Sequence, residues 1–430
     1  MVENGTIQDP VVKQNEFDDY DLACHSKVCS GCSCLCDDIS YYVKDGRLVR
    51  TLNLCEIAMK RIRTISAEDR VVPLSSHALD HNLNAAAELL KTGKAPLILG
   101  ADALDENAIV ESRKLAERLN GIWMPWGVTG INRFYRCAKT YGWATALLDE
   151  IRDRADAVIF WRADPLDTHH RHLSRYSYFP RGRYTERGNS DRTLIGVADQ
   201  KMIIEPLCQQ FFMLKSCDDS RFLKALMTPP QAEPYDHRDF PLLINSLQRA
   251  SYIAVFVDAE KTAMDGLNSL FEWAANVNLS GRKRAVILPL SRTGANIEGF
   301  KRISLEHHNV CGGFDYSGTL TETDTVDALK SAAEISGCVL MVESGPEGAN
   351  RILPPEIFSE KKLIVLNHFK QEPYASACVS IPLSLPGVET GGIFFRAEGL
   401  PLLTEKIEGL HVEAYPSGAF VLKELLNRID

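Results

Sequence analysis

Four cysteines near the N-terminus have the spacing of ligands to an iron–sulfur cluster. Cys29, Cys32 and Cys36 read C-x-x-C-x-x-x-C, and Cys55 follows on a separate segment. A tight loop of three thiolates with a fourth thiolate from further along the chain can bind the four irons of a cubane cluster. The pattern therefore predicts a [4Fe–4S] cluster, which would either transfer electrons or stabilise the fold around it.

Other interpretations of these cysteines remain open. Zinc also binds four cysteines, but usually through two C-x-x-C pairs, and Cys55 has no such neighbour. A third interpretation is a remnant motif that binds nothing, and Cys34 is an extra thiol inside the loop. A disulfide framework is disfavoured, because 12 cysteines in 430 residues is a low density and the first residues are polar and acidic rather than an apolar leader. We expect a cytoplasmic protein whose remaining cysteines are mostly buried apolar residues.

The composition restricts the classes of partner. A hydrophobic fraction of 45% and a charged fraction of 24% are typical of a globular protein, and 430 residues suggest two to four domains. The net charge of −9 argues against binding to nucleic acid through bulk charge. No apolar run approaches the roughly 18 residues of a membrane helix. We therefore expect neither a nucleic-acid partner nor a membrane partner.

A predicted hairpin returns the chain from the cysteine loop to the fourth cysteine. Residues 39–43 and 48–51 alternate in the manner of strands, and the Asp45-Gly46 pair between them is a typical hairpin turn. Cys36 and Cys55 flank this hairpin. A two-stranded ribbon can therefore bring both ends of the motif to the same metal centre.

The rest of the chain alternates between short apolar runs and amphipathic stretches, which predicts a parallel α/β fold with two Rossmann-like halves. Predicted strands occupy residues 95–100, 157–161, 193–197, 254–257, 285–290, 337–342 and 362–366. None of them opens a G-x-G-x-x-G motif, which disfavours a simple nicotinamide dehydrogenase. We expect a flexible tail at 1–22, a cysteine-rich cluster module at 23–70, and Rossmann-like domains at 71–225 and 226–430, whose boundaries can interleave.

Several blocks of the sequence resemble the B subunit of tungsten- or molybdenum-containing formylmethanofuran dehydrogenase, in the molybdopterin oxidoreductase superfamily. The blocks are residues 36–39 (CDDI), 164–177 (DPLDTHHRHLSRYS), 181–195, 294–299 (GANIEG) and 387–399 (GVETGGIFFRAEG). The resemblance implies a small N-terminal iron–sulfur β module followed by Rossmann-like domains with the layout of formate dehydrogenase domains 1–3. It also implies a [4Fe–4S] cluster and a tungsten- or molybdenum-bis-pterin cofactor.

The chain departs from this family where the heavy metal and the pterin are bound. Active relatives hold the metal with cysteine or selenocysteine followed by histidine, at a place that corresponds to residues 126–132 (WGVTGIN), which contain neither. Cys137 lies nearby but is followed by Ala138. After the strand at 193–197, the family's Asp-Pro-Arg is replaced by Asp199-Gln200-Lys201. We therefore expect that the bis-pterin cofactor is not bound.

In these losses the chain resembles the B subunit of the formyltransferase/hydrolase complex of one-carbon-oxidising bacteria. The resemblance implies a scaffold subunit in the conversion of formaldehyde to formate, with A-, C- and D-type partner subunits and a furan-type formyl carrier. The alternative is an active tungsten or molybdenum dehydrogenase subunit that uses Cys137, or no protein thiolate, on the metal.

Four further residues are candidate site residues by the same resemblance. His169 and Arg175 are predicted remnants of the catalytic site, and Asp164 and Asp199 are predicted cofactor-binding residues. The histidine- and arginine-rich block could bind an anion, or it could be a packed polar loop. Asp37 and Asp38 are expected to close the cysteine loop. Arg396 and Glu398 are expected to form a local ion pair.

Overall fold

The computed structural model describes most of the chain. The described residues are 20–63, 72–227, 235–291, 293–320, 326–343, 355–369, 377–411 and 415–429. The predicted flexible tail at 1–22 lies outside them except for its last three residues.

The secondary structure follows the predicted alternation of strands and helices. The strands are β1 (Leu22–Lys27), β2 (Ile39–Lys44), β3 (Arg47–Leu52), β4 (Leu97–Leu99), β5 (Ile122–Met124), β6 (Ala157–Trp161), β7 (Thr193–Ala198), β8 (Gln210–Met213), β9 (Tyr252–Val257), β10 (Arg284–Pro289), β11 (Phe314–Asp315), β12 (Cys338–Glu343), β13 (Lys362–Asn367), β14 (Val379–Pro382), β15 (Gly392–Phe395) and β16 (Pro401–Thr404). The helices are α1 (Glu56–Arg63), α2 (Ser76–Thr92), α3 (Glu106–Arg118), α4 (Val128–Tyr141), α5 (Leu148–Arg154), α6 (Pro165–Thr168), α7 (Asp219–Met227), α8 (Phe240–Arg249), α9 (Met264–Leu279), α10 (Ile297–His308), α11 (Val326–Ile335) and α12 (Gly418–Ile429).

The N-terminal strands form a small antiparallel sheet in the order β1-β2-β3. Strands β2 and β3 are the predicted hairpin. Their turn places Asp45 at φ 47° and Gly46 at φ 71°. Two consecutive positive φ angles define the tight turn whose twist matches that of the flanking strands. Strand β1, which the sequence analysis did not predict, pairs with β2 and covers the open edge of the hairpin.

Two larger sheets carry the α/β part of the chain. One has the strand order β10-β9-β6-β7-β8, and every neighbouring pair in it is parallel. The other has the order β11-β5-β4-β12-β13-β14, and only its β11–β5 edge is antiparallel within the described ranges. The predicted mixed α/β class with parallel sheets is confirmed. Strands β15 and β16 form a separate hairpin.

The two sheets are interleaved along the chain. The strands of the first sheet lie between residues 157 and 289, whereas the second sheet takes strands from both sides of that interval. One apolar core takes all of its fully buried members, as far as the structure describes them, from residues 134–287. The predicted division at residue 225 stays a prediction, but both sheets take strands from each side of it.

Where helices are described, none combines the length and apolar character required to cross a lipid bilayer.

Candidate metal centre

The predicted cluster ligands lie around one cavity. Cys29, Cys32 and Cys36 come from the loop between β1 and β2, and Cys55 lies at the N-terminal end of α1. Cys34 also lines the cavity. Because the hairpin returns the chain from Cys36 to Cys55, four thiols that the sequence separates line the same cavity, and their role as metal ligands stays a prediction.

Backbone hydrogen bonds fix the shape of the cysteine loop. The amide of Cys29 donates to the carbonyl of Cys36 over 2.8 Å, and the amide of Leu35 donates to the carbonyl of Cys32 over 3.1 Å. Leu35 takes a left-handed conformation, with φ 40°, at the tight bend. These hydrogen bonds and this bend therefore set the course of the loop around the cavity.

Burial keeps most of these thiols protonated in the absence of a cation. It raises the pKa of Cys29 to about 12, with the neighbouring Cys32 thiol adding to the effect. Burial also raises the pKa of Cys36 and of Cys55, and at Cys55 the amides of Ile57 and Ala58 at the start of α1 oppose it. A bound metal reverses this preference, because its charge removes the thiol protons. The cavity is thus suited to a metal-containing group, whose positive charge would deprotonate the thiols that bind it.

Arg61 places a buried positive charge beside the cysteine loop. Its guanidinium donates through Nη1 to the carbonyl of Ser30. Burial lowers the pKa of Arg61, while Cys29 and Cys32 beside it act in the opposite direction. The guanidinium of Arg61 would therefore offset the negative charge that thiolates or an iron–sulfur cluster would bring into the interior. Sequence analysis missed Arg61, because nothing in its spacing distinguishes it from an exposed basic residue of α1.

The acidic pair after Cys36 fastens the loop to the arginine-rich block. Arg171 makes two parallel hydrogen bonds to Asp38, at 2.6 and 2.7 Å. Burial raises the pKa of Asp38, but Arg171 outweighs this and brings the pKa below its usual value. Arg175 donates to Asp37 over 2.7 Å. The two aspartates therefore join the end of the cysteine loop to the segment around residues 171–175, and their expected role in closing the loop itself stays a prediction.

Arg175 and His169, the predicted catalytic remnants, both contact the cysteine loop. The guanidinium of Arg175 donates a hydrogen bond to Asp37, and this contact holds the cysteine loop against the segment that carries Arg175. His169 is buried, and its Nε2 lies 2.9 Å from Ser33 Oγ. Its Nδ1 lies 2.7 Å from Thr168 Oγ1. A catalytic role for either residue stays a prediction.

Asp164 and Asp199, the predicted cofactor-binding residues, do not line the cysteine cavity and lie close to the carboxyl ends of β6 and β7. Asp164 caps α6 by accepting from the amide of Leu166 over 3.1 Å, and it also accepts from the amide of Ile203. Asp199 lies 3.1 Å from Nη1 of the buried Arg162. Both carboxylates therefore have partners within the protein, and their cofactor role stays a prediction.

The segment that would carry the heavy-metal ligand is occupied by packing interactions. Trp126 donates its amide to Asp102 over 3.0 Å and its indole N–H to the carbonyl of Val342 over 3.1 Å. A Cβ atom at Gly127 would come within 2.4 Å of the methyl group of Thr293. Even a small side chain there would require its neighbours to move, so this position has no room for a larger ligand residue.

Cys137 is directed into the apolar core instead of into a cleft. Its side chain is fully buried, and its sulfur lies 3.2 Å from Asn268 Oδ1 on α9. Burial raises the pKa of Cys137 to about 11. The alternative in which Cys137 binds tungsten or molybdenum is therefore not favoured.

A buried network that includes Arg396 supports the cysteine loop from the C-terminal part of the chain. Arg396 donates to Glu398 over 2.6 Å and to Asp149 over 2.9 Å, which confirms the expected ion pair and extends it. The amide of Ala397 donates to the carbonyl of Ser33 over 2.9 Å. Sequence analysis missed the contact with the loop, because its partners are separated by most of the chain.

Comparison with known proteins supports the resemblance seen in the sequence. No protein-family profile matches the chain. It is 24% identical over 426 residues to the B subunit of tungsten-containing formylmethanofuran dehydrogenase 2 from Methanococcus maripaludis, an alignment covering 94% of this chain and 98% of the relative. It is 23% identical over 405 residues to the B subunit of the enzyme of the same name from Methanocaldococcus jannaschii, with 88% and 92% covered. The predicted resemblance to this type of subunit is confirmed.

A solved structure has a similar fold. It is the formyltransferase/hydrolase complex FhcABCD from Methylorubrum extorquens, bound to methylofuran, and the matched chain gives a TM-score of 0.64 at 20% identity. The match covers 84% of this chain and 98% of the other. The chain therefore has the fold of a component of that assembly.

Proposed function

We propose that this chain is the B-type subunit of a formyltransferase/hydrolase complex related to formylmethanofuran dehydrogenase, in the oxidation of formaldehyde to formate. The observation that carries the proposal is the end-to-end similarity to a B-type relative, which covers 94% of this chain and 98% of the relative. The similar fold of a chain from a complex with methylofuran supports it. In such a complex the subunit's task is to hold its partners in place.

The residues present do not fit a tungsten or molybdenum bis-pterin centre. Active relatives hold the metal through cysteine or selenocysteine, and residues 126–132 offer no cysteine, histidine or methionine as a soft donor in its place. The sulfur of Cys137 lies in the core, and Asp199 is paired with Arg162. We therefore assign this subunit no redox step on such a metal.

The residues do fit an iron–sulfur cluster, which we propose as the occupant of the cysteine cavity. Cys29, Cys32, Cys36 and Cys55 would hold it, while Arg61 offsets its negative charge. A bound cluster supplies either one-electron transfer or a covalent brace for the loop. With it we propose the finer layout, an iron–sulfur module followed by domains arranged as in formate dehydrogenases.

The proposed partners are A-, C- and D-type subunits, and the proposed carrier of the formyl group is a furan-type cofactor. This follows from the composition of the solved complex with the similar fold, whose name gives four subunits and whose ligand is methylofuran. We also propose a cytoplasmic location, because a cluster assembled on free thiols requires reducing surroundings.

The test is to purify the tagged, full-length chain from its own cells and to measure its companions and its metals. We expect co-purification of the three other subunit types, about four irons per chain, and no stoichiometric tungsten or molybdenum. Tungsten or molybdenum near one per chain would establish the alternative, an active dehydrogenase subunit. Isolation of the chain without any companion subunit would overturn the scaffold role.

A further inference from the structure

We propose that Cys32, Cys34 and His169 form a second metal site, which takes one thiophilic divalent cation such as Zn²⁺ when the cluster is absent. One ligand atom from each residue lies within 4.8 Å of the other two. Cys34 and His169 are each only 2% exposed, and Cys32 is half-buried. Clusters of surface acids are common without a metal, but a buried group of two sulfurs and an imidazole is the donor set that zinc prefers.

The hydrogen bonds of His169 orient one nitrogen towards the loop. Nδ1 lies 2.7 Å from the hydroxyl of Thr168, whereas Nε2 lies 2.9 Å from the hydroxyl of Ser33, the residue between the two cysteines. We assign the proton to Nδ1, which donates it to Thr168, and this leaves the lone pair of Nε2 facing the loop. A metal-binding histidine normally has this arrangement, with its second nitrogen held by an oxygen.

The separations suit zinc after a small contraction. Zinc–sulfur bonds of about 2.3 Å and zinc–nitrogen bonds of about 2.0–2.1 Å in a tetrahedron place the ligand atoms roughly 3.6–3.8 Å apart. The three atoms, which lie within 4.8 Å of one another, therefore need to approach by about 1.2 Å at most, and the Ser33 hydroxyl gives up its contact with Nε2. Each thiol loses its proton to solvent as the cation binds, and a water molecule fills the fourth position.

Cys32 belongs to both ligand sets. The cluster needs it together with Cys29, Cys36 and Cys55, whereas the divalent site needs it together with Cys34 and His169. The two occupants therefore exclude each other. The inference relies on the proposed cluster only for this competition, because the divalent site uses none of the other three cluster ligands.

The test is a cobalt titration of the full-length chain after chelation under reducing conditions. We expect one Co²⁺ per chain, with a sulfur-to-metal charge-transfer band, and displacement by Zn²⁺. Cys34→Ser and His169→Ala should each abolish the band, and the matched controls Cys36→Ser and Cys55→Ser should retain it. Thr168→Val, which changes no ligand, should weaken binding by about 10–100-fold.

Three outcomes would overturn the site. They are no cobalt binding by the wild type, a band that survives both Cys34→Ser and His169→Ala, and equal loss of the band in the Cys36→Ser and Cys55→Ser controls. His169→Gln, with circular dichroism and melting of the metal-free variants, separates loss of a ligand from loss of folding.

Iron reconstitution of the same variants separates this proposal from the cluster proposal. We expect Cys36→Ser to lose iron while it keeps cobalt, and Cys34→Ser to lose cobalt while it keeps about four irons. Cys32→Ser should lose both. Failure of iron loading in every variant and in the wild type would overturn the cluster and leave the divalent site to be judged on cobalt alone.

Discussion

At the scale of single residues, the buried carboxylate of Asp102 fixes the backbone at Trp126. Asp102 is fully buried and accepts the amides of Trp126 and Gly294, each over 3.0 Å. Its backbone carbonyl accepts the amide of Asn296 over 2.8 Å. One residue therefore joins the segment that starts α4 to the segment that starts α10.

The ionisation of Asp102 should make stability depend on pH. Burial raises its pKa to about 6, and the two amides lower it only in part. Since the pKa of an unfolded aspartate is about 3.9, the native state holds more protons between these values, and the free energy of unfolding falls as pH rises from about 4 to 6. We expect this contribution to be on the order of 2–3 kcal/mol.

The measurement is urea unfolding of the wild type and Asp102→Asn at several pH values between 4 and 7.5. The asparagine side chain does not titrate, although at every pH it has one acceptor oxygen where aspartate has two. The stability of the wild type relative to Asp102→Asn should therefore decline from pH 4 to 6 and then level off. A relative stability that is constant or rises over this range would show that Asp102 is ionised throughout.

At the scale of elements, the sequence predicted what local pattern determines and missed what distant contacts determine. The hairpin was predictable because Asp45-Gly46 encodes its own turn, and β6 was predicted at its observed bounds because it is an apolar run. The pairing of Arg171 with Asp38 was not, because it joins residues 133 positions apart. The block containing Arg171 was recognised as unusual, but its partner could not be identified from the sequence.

Removing the pair between Arg171 and Asp38 should loosen the cysteine loop. In Arg171→Ala the two charge-assisted hydrogen bonds to Asp38 are lost, and such bonds contribute about 1.5–3 kcal/mol when they are buried. The pair is partly exposed, with 17% and 28% of the side chains accessible, so we expect the lower end of that range. Amide hydrogen exchange at residues 34–38 of the metal-free protein should then accelerate about tenfold.

Arg187→Ala is the matched control, because Arg187 also pairs with an aspartate, Asp191, but its side chain is 76% exposed. Its loss should leave exchange in the cysteine loop unchanged. Equal acceleration in both variants would indicate general destabilisation, and no acceleration in Arg171→Ala would show that the backbone bonds of the loop suffice.

At the scale of the whole molecule, the strands of one sheet are inserted, along the chain, between the strands of the other. The strands β6 to β10 and the core at residues 134–287 are enclosed, in sequence, by the strands of the second sheet. We therefore propose that the residues from α4 to the end of β10 form one folding unit, inserted into a second unit made of the flanking segments. A sequence analysis that reads strands in order cannot see this, because both sheets have the same local pattern.

The insertion of one folding unit into the other predicts which fragment of the chain folds by itself. Residues 128–291 keep every strand of the first sheet and the apolar core at residues 134–287, so we expect near-native secondary structure by circular dichroism and a cooperative thermal transition. Residues 71–225, the division predicted from the sequence, lack β9 and β10 and also β12 to β14, so both sheets lose parallel neighbours. We expect this fragment to melt without cooperativity.

Because 128–291 exposes the face that the cysteine module covers in the whole chain, it should melt at a lower temperature than the intact protein. A cooperative transition in 71–225, together with none in 128–291, would show that the chain divides near residue 225 after all.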